Sequence, residues 1–253
     1  MLKDIFLGVR EYAGAASLIS ELKLWRYFVI PILISIMTAI FIGMEAYVLS
    51  DNIGGYIAQT WGFEWGKETF STISNFIGAL FVLIIGLILY KHIVMALSAP
   101  FMSPVSEKIE TYFYSDAHPK YRKTSFFDQL WRGIRINIRN LFRALLITLP
   151  ILLLKFIPIV NIFSTLLVFL VQAYYAGFGN MDYTLERHFG YKQSVQFVKK
   201  NKGFATGNGI VFMLLLLVPF VGIIFVLPLS VTAASKRTLQ IIHQENQDLI
   251  YEK

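Results

Sequence analysis

Apolar residues in this chain come in blocks with helical spacing, separated by short basic stretches. The first block is amphipathic. Leu2, Ile5, Phe6, Val9, Tyr12, Ala13, Ala16 and Ile19 recur on one face, with Lys3, Asp4, Arg10 and Glu11 on the others. This spacing predicts an interfacial helix over 1–22, lying along a membrane surface. The residues over 27–50 are almost all apolar, as are those over 70–97, and each run exceeds the roughly 20 residues that cross a bilayer. These are the two full crossings the pattern predicts. A loop containing Gly54, Gly55, Trp61 and Trp65 joins them, and Pro100 and Pro104 are expected to end the second. Gly78 and Gly86 give room there for close helix contact.

The second half of the chain behaves differently. Phe127, Leu130, Ile134, Ile138 and Leu141 form one stripe and Arg132, Arg135, Arg139 and Arg143 another, which predicts an amphipathic interfacial helix over 126–142. Two apolar stretches then share a broken centre. FIPIVNIF surrounds Pro158 and Asn161, and LVPFVGIIF surrounds Pro219 and Gly222, 61 residues later between the two prolines. Each apolar arm beside a break has about 13 to 15 residues, too few to cross at 1.5 Å rise per residue. Re-entrant hairpins are expected over 143–183 and 205–235, followed by a polar tail over 236–253 that includes a short helix, TLQIIHQENQDL. The whole pattern reads as an all-α integral membrane protein: two long transmembrane helices plus two re-entrant (hemi-penetrating) helical hairpins, with amphipathic interfacial helices. Irregular backbone at membrane depth is tolerated where protein covers it or water fills a cavity, so paired broken segments point to a solute pathway.

Composition agrees. The chain is 56% apolar with a mean hydropathy of +0.59, which excludes an ordinary soluble domain. Its net charge of +7 sits beside the apolar blocks, not in a separate patch, so anionic lipids and anionic solutes are the expected partners and nucleic acid is not. With no Cys, disulfides, thiolate metal sites and a Cys nucleophile are excluded. The first long apolar run exceeds a signal-peptide core, so the N-terminus is expected to be retained. The loop from Asp51 to Glu68 has one basic residue, Lys67, whereas the segments flanking both broken stretches are strongly basic. The positive-inside rule then puts that loop outside and both termini in the cytoplasm, and makes each hairpin enter and leave on the cytoplasmic side.

Several polar residues are candidates for chemistry. Lys23 and Arg26 sit where an interfacial helix hands over to a spanning one; open backbone N–H groups there would help them hold an oxyanion, although from position alone headgroup anchoring is the plainer account. Lys155, three residues before Pro158, falls deep in the membrane or snorkels at its far face. Glu107 and Glu110 lie near the inner mouth, where a carboxylate would hold Arg or Lys in place; a solvated helix surface is the plainer reading of them. The Arg132-to-Arg143 stripe reads as a lipid-binding face or an anion funnel. Gly207 and Gly209 are places of close helix packing. The four His residues, His92, His118, His188 and His243, form no metal motif, and neither a catalytic group nor a cofactor or metal site is expected.

Four strings resemble one family in order and over nearly the whole chain: LWRYFVIP at Leu24 to Pro31, SAPFMSPVSEKIE at Ser98 to Glu110, NMDYTLERH at Asn180 to His188, and VPFVGIIFVLPLSVTAAS at Val218 to Ser235. They are similar to the CysZ-type sulfate transporters of the etoposide-induced-protein family. The resemblance implies residence in the bacterial inner membrane, homo-oligomers, and sulfate uptake for cysteine biosynthesis. It also makes Asp182 and His188 candidates for a pathway or network. Sulfate-handling members carry Gly-Leu-Arg-Arg where this chain has Lys23, Leu24, Trp25 and Arg26, so the resemblance implies anion binding at Arg26, with Lys23 and Trp25 at the altered positions. An ammonium is a flexible point charge and a guanidinium a planar fork, so charge is kept in number but not geometry. A non-transporting membrane scaffold is the alternative function.

Overall fold

The computed structural model describes residues 1–114, 122, 124–154, 157, 160–218 and 221–251. Within these the chain is all helical: α1 (Leu2–Arg10), a 3₁₀ turn (Glu11–Gly14), α2 (Ala15–Glu21), α3 (Trp25–Ala58), α4 (Lys67–Phe113), α5 (Phe126–Leu153), α6 (Val160–His188), α7 (Tyr191–Lys200), α8 (Lys202–Leu216) and α9 (Val221–Tyr251). Pro158 and Pro219, on which the repeated break was read, lie outside the described residues, as do Lys155 and His118.

α3 and α4 form a long antiparallel pair, held close where Gly54 meets Asn75, Gly78 meets Ser50 and Gly86 meets Ile42. Outward they present Leu33, Met37, Phe41 and Met44, and Phe76, Leu80, Phe81 and Leu87, all exposed, as a helix surface solvated by lipid must. Trp61 stacks on Phe70 at the far end, the arrangement of an interfacial aromatic belt.

The helices run longer than the pattern predicts. α3 continues through Gly54 and Gly55 to Ala58, shrinking the outer loop. α4 does not stop at Pro100 or Pro104, and its 47 residues make a rod of about 70 Å. Pro100 leaves the Ala96 carbonyl without its helical partner, but that oxygen lies against Gly133 of α5, whose missing side chain lets the two backbones approach. The interfacial helix expected over 126–142 and the arm after it are one helix, α5. It starts at a capping box in which Ser125 and Asp128 exchange hydrogen bonds. Because interfacial segment and arm merge, α5 and α6 have 28 and 29 residues and are each long and apolar enough to cross a membrane, unlike the short arms expected. α8, with 15 residues, is not. The polar tail likewise continues α9 to Tyr251 and does not start a separate helix. The predicted helix over 1–22 is three pieces, bent at the 3₁₀ turn.

α5–α6 and α8–α9 form two helical hairpins with their connections at the same end. Gly222 packs directly on the Leu215 carbonyl and makes the second turn tight. α8 is wedged between α1 and α6. A Cβ on Gly207 would overlap the Ile5 carbonyl, and one on Gly209 would overlap the Ala173 carbonyl, so the glycines of KGFATGNG do mark close packing. The core gathers Leu24, Phe28, Met95, Met102, Ile109, Phe212 and Leu227 around α4.

Candidate anion pathway

The start of α3 is shaped by the end of α2. Leu24 N–H donates to the Ile19 carbonyl (2.8 Å) and Lys23 N–H to the Ser20 carbonyl (3.2 Å). This is a Schellman turn with Lys23 in the left-handed position usually given to glycine, at φ +53°. Leu24 is buried, so the turn pins the N-terminus of α3. No side chain caps that end. Arg26 is exposed, donates to the Tyr27 hydroxyl (2.8 Å) and lies 4.8 Å over its ring. Trp25 packs edge-on against Phe225 of α9. Beside this turn a cavity of about 520 Å³ is lined by Leu22, Tyr27, Glu107, Lys108 and Tyr112, with Tyr112 donating to Glu21 (2.6 Å).

Two buried charge clusters lie under the hairpins. Glu110, 1% exposed, meets Arg187 (3.2 Å), His188 (3.2 Å) and His243 (3.3 Å), drawing α4, α6 and α9 together. Arg187 also donates to Ser106. Arg132 grips Asp182 with two parallel bonds (3.0 and 2.8 Å) and donates to the Phe189 carbonyl and the Ser194 hydroxyl. A bidentate pair with its remaining donors satisfied is the form in which buried charge is tolerated. Arg132 therefore leaves the arginine stripe: it is buried in the bundle, while Arg135 lies outside over Tyr191 and Arg139 over Phe178. The structure brings Glu110 and His188 together, joins Asp182 to Arg132, and sets Glu107 in the cavity beside Tyr27. Lys23 and Arg26 stand apart from both clusters.

Above these clusters the interior stays polar. Asn180 of α6 donates to Asn208 of α8 (2.8 Å), and Asn208 donates to the Ser230 carbonyl of α9 (3.1 Å). The Tyr12 hydroxyl joins them, 2.8 Å from the Asn208 carbonyl and 2.7 Å from the Ser230 hydroxyl. Burial raises the pKa of that phenol well above its ordinary value, so it remains a donor. The side-chain oxygen of Asn180 has no hydrogen-bond partner among the described residues.

The residue that sequence reasoning passed over is Lys91. It is 3% exposed, donates to Gln172 of α6 (2.5 Å), and has the Met213 sulfur at 3.9 Å. No carboxylate pairs with it among the described residues. Gly86 of α4 packs on Ile42 of α3, so Lys91 is level with about residue 37, some 11 residues or about 16 Å inside the level of Arg26. A second span over 70–97 sets Lys91 near its inner end, and the signal available was an ionisable residue within an apolar run.

Comparison with known proteins adds a family. Residues 12–226 match the family described as Sulfate transporter CysZ/Etoposide-induced protein 2.4. The chain is similar to a Sulfate transporter CysZ of Pseudomonas aeruginosa (strain LESB58), 27% identical over 170 residues, 65% of this chain and 69% of that protein. It is 25% identical over 173 residues to one of Pseudomonas fluorescens (strain Pf0-1), 66% of this chain and 69% of that protein.

Proposed function

The chain belongs to the Sulfate transporter CysZ/Etoposide-induced protein 2.4 family, and from that premise we propose that it carries sulfate across the bacterial inner membrane for cysteine biosynthesis. The observation that carries this reading is Lys91, a buried cation inside an apolar helix that contacts a neutral amide and a thioether and, among the described residues, no carboxylate. An intramembrane charge without a counter-charge is costly, and a passing anion supplies what the site lacks.

In this mechanism Arg26 meets the ion at the cytoplasmic mouth. Its guanidinium leaves the Tyr27 hydroxyl for the oxyanion, with Lys23 adding charge and the uncapped backbone N–H groups of α3 adding partial charge. Trp25 walls the site by its packing on Phe225. Lys91 and the amides of Gln172 and Asn180 replace part of the hydration shell inside the bundle, weakly enough to let the ion leave. Glu110 and Asp182 hold Arg187 and Arg132 in place and do not bind anion themselves. Both termini face the cytoplasm, and the hairpins dip in from that side.

The test is uptake of labelled sulfate into proteoliposomes of defined orientation by the wild type, Arg26→Ala and Lys91→Met. Uptake that falls with either substitution is expected. No uptake by folded wild type overturns the proposal and leaves the scaffold reading; uptake indifferent to Arg26→Ala removes only the mouth assigned to it.

A further inference from the structure

On the α5 side of the bundle, three cavities share residues in sequence and form one track. The first, about 320 Å³, is lined by Arg122, Asp128, Trp131, Arg135, Glu186 and Tyr191 among others. A second, about 400 Å³, shares Asp128 and Trp131 and continues over Phe127, Leu130 and Ile134. The third, about 340 Å³, takes up Ile134 again and runs between α4 and α5 past Ile93, Leu97, Ile138 and Leu141. The track begins charged and ends largely apolar, with His92 and Asn137 the two polar residues of its last stretch, which is the order of chemistry along a phospholipid.

The charged end has unused groups of both signs. Arg132 also lines it, but its guanidinium is held by Asp182, the Phe189 carbonyl and Ser194. Arg135 is exposed, stacks 4.0 Å over Tyr191, and donates no hydrogen bond to protein among the described residues. Among the described residues Arg122 donates from one terminal nitrogen, to the carbonyls of Glu186 and Phe189. Opposite them Glu186 is 2% exposed with one carboxylate oxygen lacking a hydrogen-bond partner among the described residues, and Asp128 is engaged by the Ser125 cap. Two guanidinium groups with open donors beside a buried carboxylate with one open oxygen complement a headgroup with a phosphate and a cation. The depth is right: Gly133 packs on Ala96 of α4, within about two turns of the level at which α3 begins, and Phe127 and Trp131 are exposed, as interfacial aromatics are.

We infer that this track is a binding site for a phospholipid bearing a primary ammonium, of the phosphatidylethanolamine class, with its phosphate on Arg135 and Arg122, its ammonium on Glu186, and an acyl chain along the α4–α5 groove. The reading is independent of what the protein transports.

Native mass spectrometry of the full chain in detergent, titrated with phosphatidylethanolamine, phosphatidylcholine and phosphatidylglycerol, tests it. Phosphatidylethanolamine should bind tightest. Arg135→Gln should weaken all three about five-fold, the effect of one basic side chain on a phosphate. Glu186→Gln should weaken phosphatidylethanolamine alone, and retained phosphatidylglycerol binding in that variant reports an intact fold. Ile134→Trp should weaken all three by filling the groove. Soluble glycerophosphoethanolamine should displace the lipid only at far higher concentration. Equal binding of the three lipids by wild type, or equal loss of all three in Glu186→Gln, overturns the assignment. Displacement by the free headgroup at matched concentration overturns the acyl groove.

Discussion

Replacing Lys91 by methionine separates a functional lysine from a structural one, because the two roles predict opposite signs of stability change. Methionine has nearly the same length and no charge. A lysine at the centre of a membrane helix costs about 2.5 to 3.5 kcal/mol on insertion scales. Against that gain, Lys91→Met removes the bond to Gln172, which is half-buried, and leaves its amide oxygen unpaired at a cost of about 1 to 1.5 kcal/mol. The net expectation is a protein more stable by about 1 to 2.5 kcal/mol. At about 2 to 4 °C per kcal/mol for a chain of this size, the unfolding temperature in detergent rises by roughly 2 to 10 °C. Sulfate uptake falls in the same variant, the trade expected where a destabilising group is kept for activity. Lys91→Arg keeps the charge, and is expected to keep measurable uptake without the gain in stability. The assays are thermal unfolding followed by tryptophan fluorescence and uptake into proteoliposomes from the same preparations. A Lys91→Met protein that melts several degrees lower and still takes up sulfate refutes the reasoning, since the lysine would then be a structural prop.

Three further outcomes follow. Lys23 occupies a left-handed backbone position at φ +53°, so Lys23→Gly should stabilise the protein by roughly 0.5 to 1 kcal/mol, read as a higher unfolding temperature. Arg132→Gln leaves Asp182 buried without its cation and should cost about 3 to 5 kcal/mol, while the double change Arg132→Met with Asp182→Leu should recover most of it in the same melt. Because the chain has no cysteine, Lys199→Cys gives a single label site on α7; a membrane-impermeant maleimide should reach it from the cytoplasmic side alone.

Much of the helical layout was readable because lipid-facing positions must be apolar, so α3, α4 and the two hairpins announce themselves in hydropathy. Helix ends were not. Pro100 and Pro104 signal a stop in isolation, yet the neighbouring backbone of Gly133 covers the carbonyl that Pro100 frees, and α4 continues. The merging of the segment over 126–142 with the arm after it is equally invisible in composition, since nothing in LFRALLITLP breaks a helix before Pro150, which itself stays within α5. Arg132 was read with Arg135 and Arg139 as one stripe by spacing alone. Its removal into the bundle depends on Asp182, 50 residues later, a partner that periodicity cannot identify. Glu110 was picked from its place near the inner mouth and His188 from the family strings, and the structure shows them sharing a buried cluster with Arg187 and His243. Lys91 was missed for a simple reason: its depth depends on where α4 ends.

The central claim is that sulfate reaches the buried interior beside Lys91. Gln172→Cys places the only thiol of the chain there with the lysine intact. Modification rates should be compared for a sulfonate-bearing and a trimethylammonium-bearing methanethiosulfonate of similar size, with and without sulfate. The account predicts that the anionic reagent reacts faster and that sulfate slows it. A thiol that neither reagent modifies, or one that both modify equally with no effect of sulfate, contradicts it.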